Sequence, residues 1–316
     1  MIVKIKKRSL IILLILALAS LPLVYAVASV VTGNFKVELV ISNRNPTINL
    51  LNATNFSVNP VSGSTSSILI SFNATDPDAV EQINGTTGGA AAVNLTLGTP
   101  GSSQFRTQAS CTNTTLGSGS TGVVTFNCLV NLQYFDNNSA NWVINVSVTD
   151  SNNGVGRNNS NSTGPVTFTY NTLSALSLPY ASINFSNVNI GQNNVLAYPH
   201  LLLNNTGNDD FTRVNISATA LVGTTTSSQT IATTQFGVNT TNSSTNPLNI
   251  PASGGLSLTD QNTGTFSKLT HGSTSAFVPN TATGNMSVFV YVNVPSSGLS
   301  AQLYNATWNV TATSTP

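Results

Sequence analysis

The sequence predicts an all-β chain: two tandem β-sandwiches that follow an N-terminal hydrophobic signal helix. Three observations lead there. Apolar residues alternate with polar ones along most of the chain, and clusters of Gly, Asn, Ser and Pro separate the alternating runs. Charge is scarce, since Lys, Arg, Asp and Glu make up 6% of 316 residues, where a soluble domain ordinarily carries about a quarter. Asn-x-Ser/Thr triplets without an intervening Pro occur 18 times, from Asn52 to Asn309. This is the composition of an extracellular β-protein.

Residues 1–28 have the layout of a secretory signal peptide. Lys4, Lys6, Lys7 and Arg8 precede an apolar stretch, Leu10 to Val24, and Ala26-Val27-Ala28 offers a small-x-small cleavage site with Ser29 as the first mature residue. Two alternatives stay open. The apolar run, extended to Val31, is long enough for a retained anchor, and a pilin-type leader would be cut near Arg8, although Lys-Lys-Arg is a poor match for one. Beyond the leader six basic residues face nine acidic ones, with no basic patch for nucleic acid. Membrane contact is expected only through an uncleaved leader. Few titrating groups also imply a stability that depends weakly on pH.

The strands follow in order. Asn34 to Ile41 places Phe35, Val37, Leu39 and Ile41 on one face. Ser67 to Asn73 turns Ile68, Ile70 and Phe72 inward, Trp142 to Thr149 does so with Trp142, Ile144, Val146 and Val148, and Pro165 to Tyr170 closes the first block. Asn285 to Val294 and Tyr304 to Ala312 read as strands of the second, with Tyr304 and Trp308 inward. The organisation expected is a first sandwich over residues 29–171, a linker over 172–180 containing Pro179, and a second sandwich over 181–316. Each block has the size of a single-core domain. The segment Ser29 to Ile41 is read either as the first strand of its own sandwich or as a strand that completes a neighbour's sheet.

Cys111 and Cys128 are the only cysteines. In an exported chain they are expected to form a disulfide, worth about 3 kcal/mol for so short a loop; a reduced, buried pair is the alternative. Strand geometry turns Asn73, Asn94, Asn145, Asn215, Asn285 and Asn309 outward, each two residues before its Ser or Thr. These six are the glycosylation candidates. Otherwise they serve as uncharged polar residues of a solvent face. Calcium is the one cofactor considered, at Asp76, Asp78 and Asp150 in inter-strand loops; alternatively these carboxylates hold turn backbones.

No enzyme is expected. The histidines are His200 and His271 alone, the only Glu are Glu38 and Glu81, and neither a Gly-x-Ser-x-Gly elbow nor a His-Glu-x-x-His pair occurs. Gly117 to Gly122 satisfies Gly-x-Gly-x-x-Gly, but a β-run follows it where a phosphate site needs a helix N-terminus, so it reads as a hairpin tip.

Two resemblances add to this. Ile70-Ser71-Phe72-Asn73-Ala74-Thr75-Asp76-Pro77-Asp78 and Trp142 to Gly154, with its Val-x-Asp-x-x-x-Gly ending, resemble immunoglobulin-like or fibronectin-like modules of microbial surface proteins. That implies an immunoglobulin-like first sandwich with Trp142 in its core. Asn189-Ile190-Gly191-Gln192, Leu201 to Asn208 and Phe211 to Ile216 resemble a segment of secreted jelly-roll proteins, including fibre proteins of the TasA/camelysin kind and similar archaeal pilins. That implies a jelly-roll-like second sandwich. The function expected is an exported, N-glycosylated structural protein of the cell surface, a subunit of a surface layer or fibre in an archaeon, associating with itself or with other surface proteins. The alternative is a secreted adhesin that binds a glycan or a partner as a monomer.

Overall fold

The computed structural model describes residues 35–50, 56–83, 90–97, 104–108, 111–115, 118–161, 164–239, 241–245, 247–252, 255–258, 269–270 and 284–314. The leader and His271 lie outside them. Two units are present, residues 1–42 and 43–316. Among the described residues every regular element is a strand or a single 3-10 turn. No helix of these residues is long and apolar enough to cross a membrane.

The first core is built from β1 (Thr47–Leu50), β2 (Phe56–Val58), β3 (Thr65–Thr75), β4 (Ala90–Leu97), β5 (Phe105–Gln108), β6 (Thr112–Thr115), β7 (Val124–Gln133), β8 (Ser139–Thr149), β9 (Val155–Asn158), β10 (Ser160–Asn161), β11 (Gly164–Pro165) and β12 (Thr167–Tyr170). One sheet runs β1-β3-β7-β6 and the other β2-β12-β8-β4-β5, with β9 also on β8. All these pairings are antiparallel except β2 with β12, which is parallel. Taken as strands A to G, the first sheet is A-B-E-D and the second contains G-F-C, the immunoglobulin arrangement. The period-2 pattern explains the core directly. β3 buries Ile68, Ile70, Phe72 and Ala74, β7 buries Val124, Phe126, Cys128, Val130 and Leu132, and β8 buries Trp142, Ile144, Val146 and Val148. Cys111 and Cys128 form a disulfide between the start of β6 and β7, within one sheet. It is not the bridge between sheets found in antibody domains.

The second core comprises β13 (Leu176–Ser177), β14 (Val195–Leu196), β15 (Leu201–Asn205), β16 (Phe211–Ser217), β17 (Leu221–Gly223), β18 (Thr230–Ile231), β19 (Phe236–Asn239), β20 (Leu248–Asn249), β21 (Gly255–Ser257), β22 (Gly284–Val292), β23 (Tyr304–Asn305) and β24 (Asn309–Ser314). A sheet of order β13-β15-β22-β19-β20, with β14 also on β22, accompanies two three-stranded sheets, β21-β16-β24 and β18-β17-β23. Leu203, Val214, Phe236, Val238, Val288 and Val290 lie at its centre.

Three expectations differ in detail. Phe35 to Ile41 is not a strand: residues 35–46 hold none, and the first strand is β1. Tyr304 to Ala312 is two strands, because Asn305 pairs with Val222 on β17 while Asn309 pairs with Ser217 on β16. The chain changes sheet between them, at Ala306-Thr307-Trp308. The segment read as a linker carries β13, which is hydrogen-bonded to β15.

Candidate functional site

The segment Asn43–Pro46 reaches two of the three candidate carboxylates of the first sandwich, Asp150 through Asn43 and Asp78 through Arg44. Asp76 directly follows β3 and Asp150 directly follows β8, and both are buried. Asp150 Oδ1 accepts the backbone N–H groups of Asn152 and Gly154 at 2.8 Å each, and its Oδ2 accepts Asn43 Nδ2 at 2.8 Å. A side chain at Gly154 would overlap Asp150 Oδ2 and Asn43 Nδ2, so glycine is required by close approach. Asp78 takes Arg44 N at 2.7 Å and Arg44 Nε at 2.9 Å. Asp76 Oδ1 accepts Asp78 N at 2.9 Å, while its buried Oδ2 accepts no bond. Five of the six carboxylate oxygens thus hold protein donors, the turn-organising role. Among the described residues no group of three His, Cys, Asp or Glu side chains could hold a metal ion.

The glycine run is a built turn. Gly119 has φ +69°, a left-handed conformation that glycine adopts without cost. Its N–H donates to Glu81 Oε1 at 2.8 Å and its carbonyl accepts Val80 N at 3.2 Å. β7 follows, with no helix N-terminus to hold a phosphate. Gly117 lies outside the described residues.

The nearest approach to a catalytic arrangement is one the sequence did not signal. His200 stacks on Phe289 with ring centroids 5.0 Å apart, and its Nε2 lies 3.4 Å from Ser287 Oγ. The pair arises from the β15–β22 register. No carboxylate of the described residues forms an ion pair with the ring, so the third member of a triad is missing there.

The titrating groups are few and their shifts are opposed. Burial pushes the Asp136 carboxyl up, against the pull of Arg106 and the Gln133 N–H. Arg44 holds Asp78 below the usual carboxylate value, first through its backbone N–H, and the Gly119 N–H does the same for Glu81. A raised carboxyl supports folding at low pH and withdraws that support as pH rises through its folded value; a lowered one supports folding above its ordinary value and withdraws on acidification. From neutral pH down to about the Glu81 reference of 4.5, then, none of the three removes stability. The Tyr170 phenol is pushed up to about 12 by desolvation, so its support is complete below 10.0 and lost between there and about 12. The unfolding temperature is expected to stay level or rise slightly from about pH 7 to 5. It should fall above about pH 10. A drop of roughly 5 °C or more between pH 7 and 5, measured by circular dichroism, would contradict this.

The surfaces divide more clearly than the clusters. Among the described residues three half-buried apolar side chains pack against the first core, Phe56, Val58 and Cys111. Against the second, fifteen do, among them Phe185, Leu221, Tyr304, Trp308, Val310 and Ala312. Among the described residues β24 pairs on one side only, with β16, and it has no charged residue. In the other unit Phe35 is 84% and Ile41 81% exposed, with Val37, Leu39 and Val40 similar, and Lys36 pairs with Glu38. The expected inward aromatics Phe72, Trp142 and Phe168 are buried, whereas Tyr304 and Trp308 are half-buried and Phe35 is not buried at all.

The six candidate sequons are all on strands. Asn73 is half-buried and its Oδ1 accepts Thr125 Oγ1 at 2.8 Å. Asn94 and Asn145 are direct cross-strand partners, and Asn145 Nδ2 donates to Thr96 Oγ1 at 3.0 Å. The Asn94 side chain itself is outside the described set. Asn215 is half-buried, while Asn285 and Asn309 are exposed. Sequence reasoning passed over exposed Asn184, Asn242 and Asn305, each an acceptor triplet in its own right.

No protein-family model matches the chain, and no curated protein matches it. Among solved structures the chain is similar to one described as a chaperone–tip adhesin complex in the biogenesis of CFA/I fimbriae, at 9% identity and a TM-score of 0.32, over 84% of this chain and 98% of that one. It is also similar to the secreted serine protease VesC from Vibrio cholerae, at 10% identity and a TM-score of 0.20, over 83% of this chain and 51% of that one. Likenesses this slight decide nothing about activity.

Proposed function

We propose that this chain is an exported, N-glycosylated structural protein of a cell surface, assembling into a layer or fibre when the segment Ser29 to Ile41 of one copy adds as a strand to the second sandwich of another. One observation carries the reading: an exposed, alternating segment outside every strand occurs in the same chain as a core flanked by fifteen half-buried apolar side chains. Phe35, Val37, Leu39 and Ile41 would lie over that core, and the backbone would pair with the uncharged edge of β24. Uncharged edges are templates for such addition, since edge charge is what ordinarily prevents it. Strand addition takes affinity from main-chain hydrogen bonds and register from alternate side chains.

The test is electron microscopy of the chain recovered from the exterior of the cells that make it. Ordered sheets or filaments are the expected result; single particles at every concentration would refute assembly. A second reading, a secreted adhesin acting as a monomer, is favoured by Tyr198, which is 80% exposed and lies two residues from the His200–Phe289 stack. Exposed aromatic rings suit a sugar face or a partner.

A further inference from the structure

We infer that, among the acceptors whose side chains are described, strand register and exposure place the N-glycans of this protein on the second sandwich, at Asn184, Asn242, Asn285, Asn305 and Asn309, and leave Asn73 and Asn145 of the first sandwich bare. The inference rests on the export half of the proposed function and not on assembly.

Residues directly opposite on antiparallel strands have Cβ atoms about 4.5–5.5 Å apart. Two glycans cannot both leave such a position without their first sugar rings competing for one space. The register makes two such pairs of acceptors: Asn94 faces Asn145 on β4–β8, and Asn204 faces Asn285 on β15–β22. Each of the four begins a triplet ending in Ser or Thr. At Asn204 and Asn285 exposure decides, because Asn285 is exposed and Asn204 half-buried. A third opposition is staggered. Asn215 faces Thr311 and Asn309 faces Ser217, so each acceptor lies against the other's hydroxyl residue. Here too one of the pair, Asn309, is exposed and the other is half-buried.

The remaining described acceptors separate by what their amides hold. Asn158 Nδ2 donates to Ile48 O at 2.8 Å, and Asn239 Nδ2 to Ser243 O at 3.0 Å. Asn145 Nδ2 likewise donates to Thr96 Oγ1 at 3.0 Å, and Asn73, Asn113 and Asn137 are half-buried. Among the described residues every exposed acceptor lies between Asn184 and Asn309.

In the transfer, Nδ2 forms a bond to the anomeric carbon of an activated glycosyl phosphate donor. The carbon–oxygen bond to phosphate breaks, the phosphate leaves with the bonding pair, and one amide proton passes to a base of the transferase. The bond can form only where the amide reaches solvent. Sugar on Asn309 leaves β24 free to pair, since side chains stand perpendicular to the sheet and strands add in its plane.

The experiment is glycopeptide mass spectrometry of the full chain recovered from outside the cells that make it. Sugar is expected at the five exposed positions and at neither Asn73 nor Asn145. Sugar on Asn73 or Asn145, or on Asn204 and Asn285 of the same molecule, overturns the inference. An exterior chain with no sugar overturns it while leaving assembly standing. A chain that never reaches the exterior overturns both.

Discussion

A chain lacking residues 29–41 is expected to fold as the complete chain does and to remain monomeric at concentrations where the complete chain assembles. Residues 43–316 form a compact unit of their own. The described residues of the removed stretch contribute no strand, and their apolar side chains are exposed. Thermal unfolding of the truncated chain should therefore be nearly unchanged. Assembly is another matter. Burying a side chain such as Phe35, Val37, Leu39 or Ile41 contributes about 1.5–3 kcal/mol. Losing even two such contacts weakens association by a factor on the order of 10² to 10⁴. Val37→Asp with Leu39→Asp keeps the chain length and should act like the deletion, because both charges would enter the apolar core. Adding the synthetic segment 29–41 to the truncated chain should give binding without polymers, since the added strand carries no second sandwich. Sedimentation and electron microscopy read all three. Filaments formed by the truncated chain would eliminate strand addition, whatever else drives assembly.

The sandwiches were legible because burial on one face imposes a period of two. The inward sets of β3, β8 and β22 are the ones the alternation names. The disulfide followed from the pairing of two cysteines close in sequence. Pairing itself was not legible. Nothing in the linear order says that Asn94 lies opposite Asn145, or that the chain leaves β17 for β16 between Asn305 and Asn309. The same limit applies to Phe35–Ile41, whose alternation marks a strand without naming what it pairs with. Asp150 shows what neighbours in space add to the reading of one residue. The Asp-x-x-x-Gly spacing suits a loop carboxylate of either kind, and the three N–H groups converging on Asp150 make it a turn organiser.

Trp142→Ala should be among the most destabilising single substitutions in the chain, and its contrast with Trp308→Ala bears on the open second core. Trp142 is fully buried, stacks on Phe168 at 5.9 Å, and donates Nε1–H to Asn137 O at 3.0 Å. Phe168 in turn stacks on Phe56 at 5.4 Å, so one row of rings crosses β8, β12 and β2. Truncation to alanine removes the end of that row and leaves a cavity, at a cost of about 3–5 kcal/mol. Domains stand only about 5–15 kcal/mol above unfolding. For a unit of this size the first core should melt roughly 10 °C earlier. Trp308 also donates, to Thr219 O at 2.9 Å, and meets Phe236 edge-on at 5.0 Å, but one side of it is uncovered. Its truncation should cost the monomer about half as much, because fewer contacts are lost. If a neighbour's strand covers the second core, Trp308→Ala then weakens assembly more than it weakens the fold, and Trp142→Ala does the reverse. Calorimetry paired with sedimentation on the two variants separates the effects. Equal effects of both substitutions on assembly would place the contact between copies away from the second core.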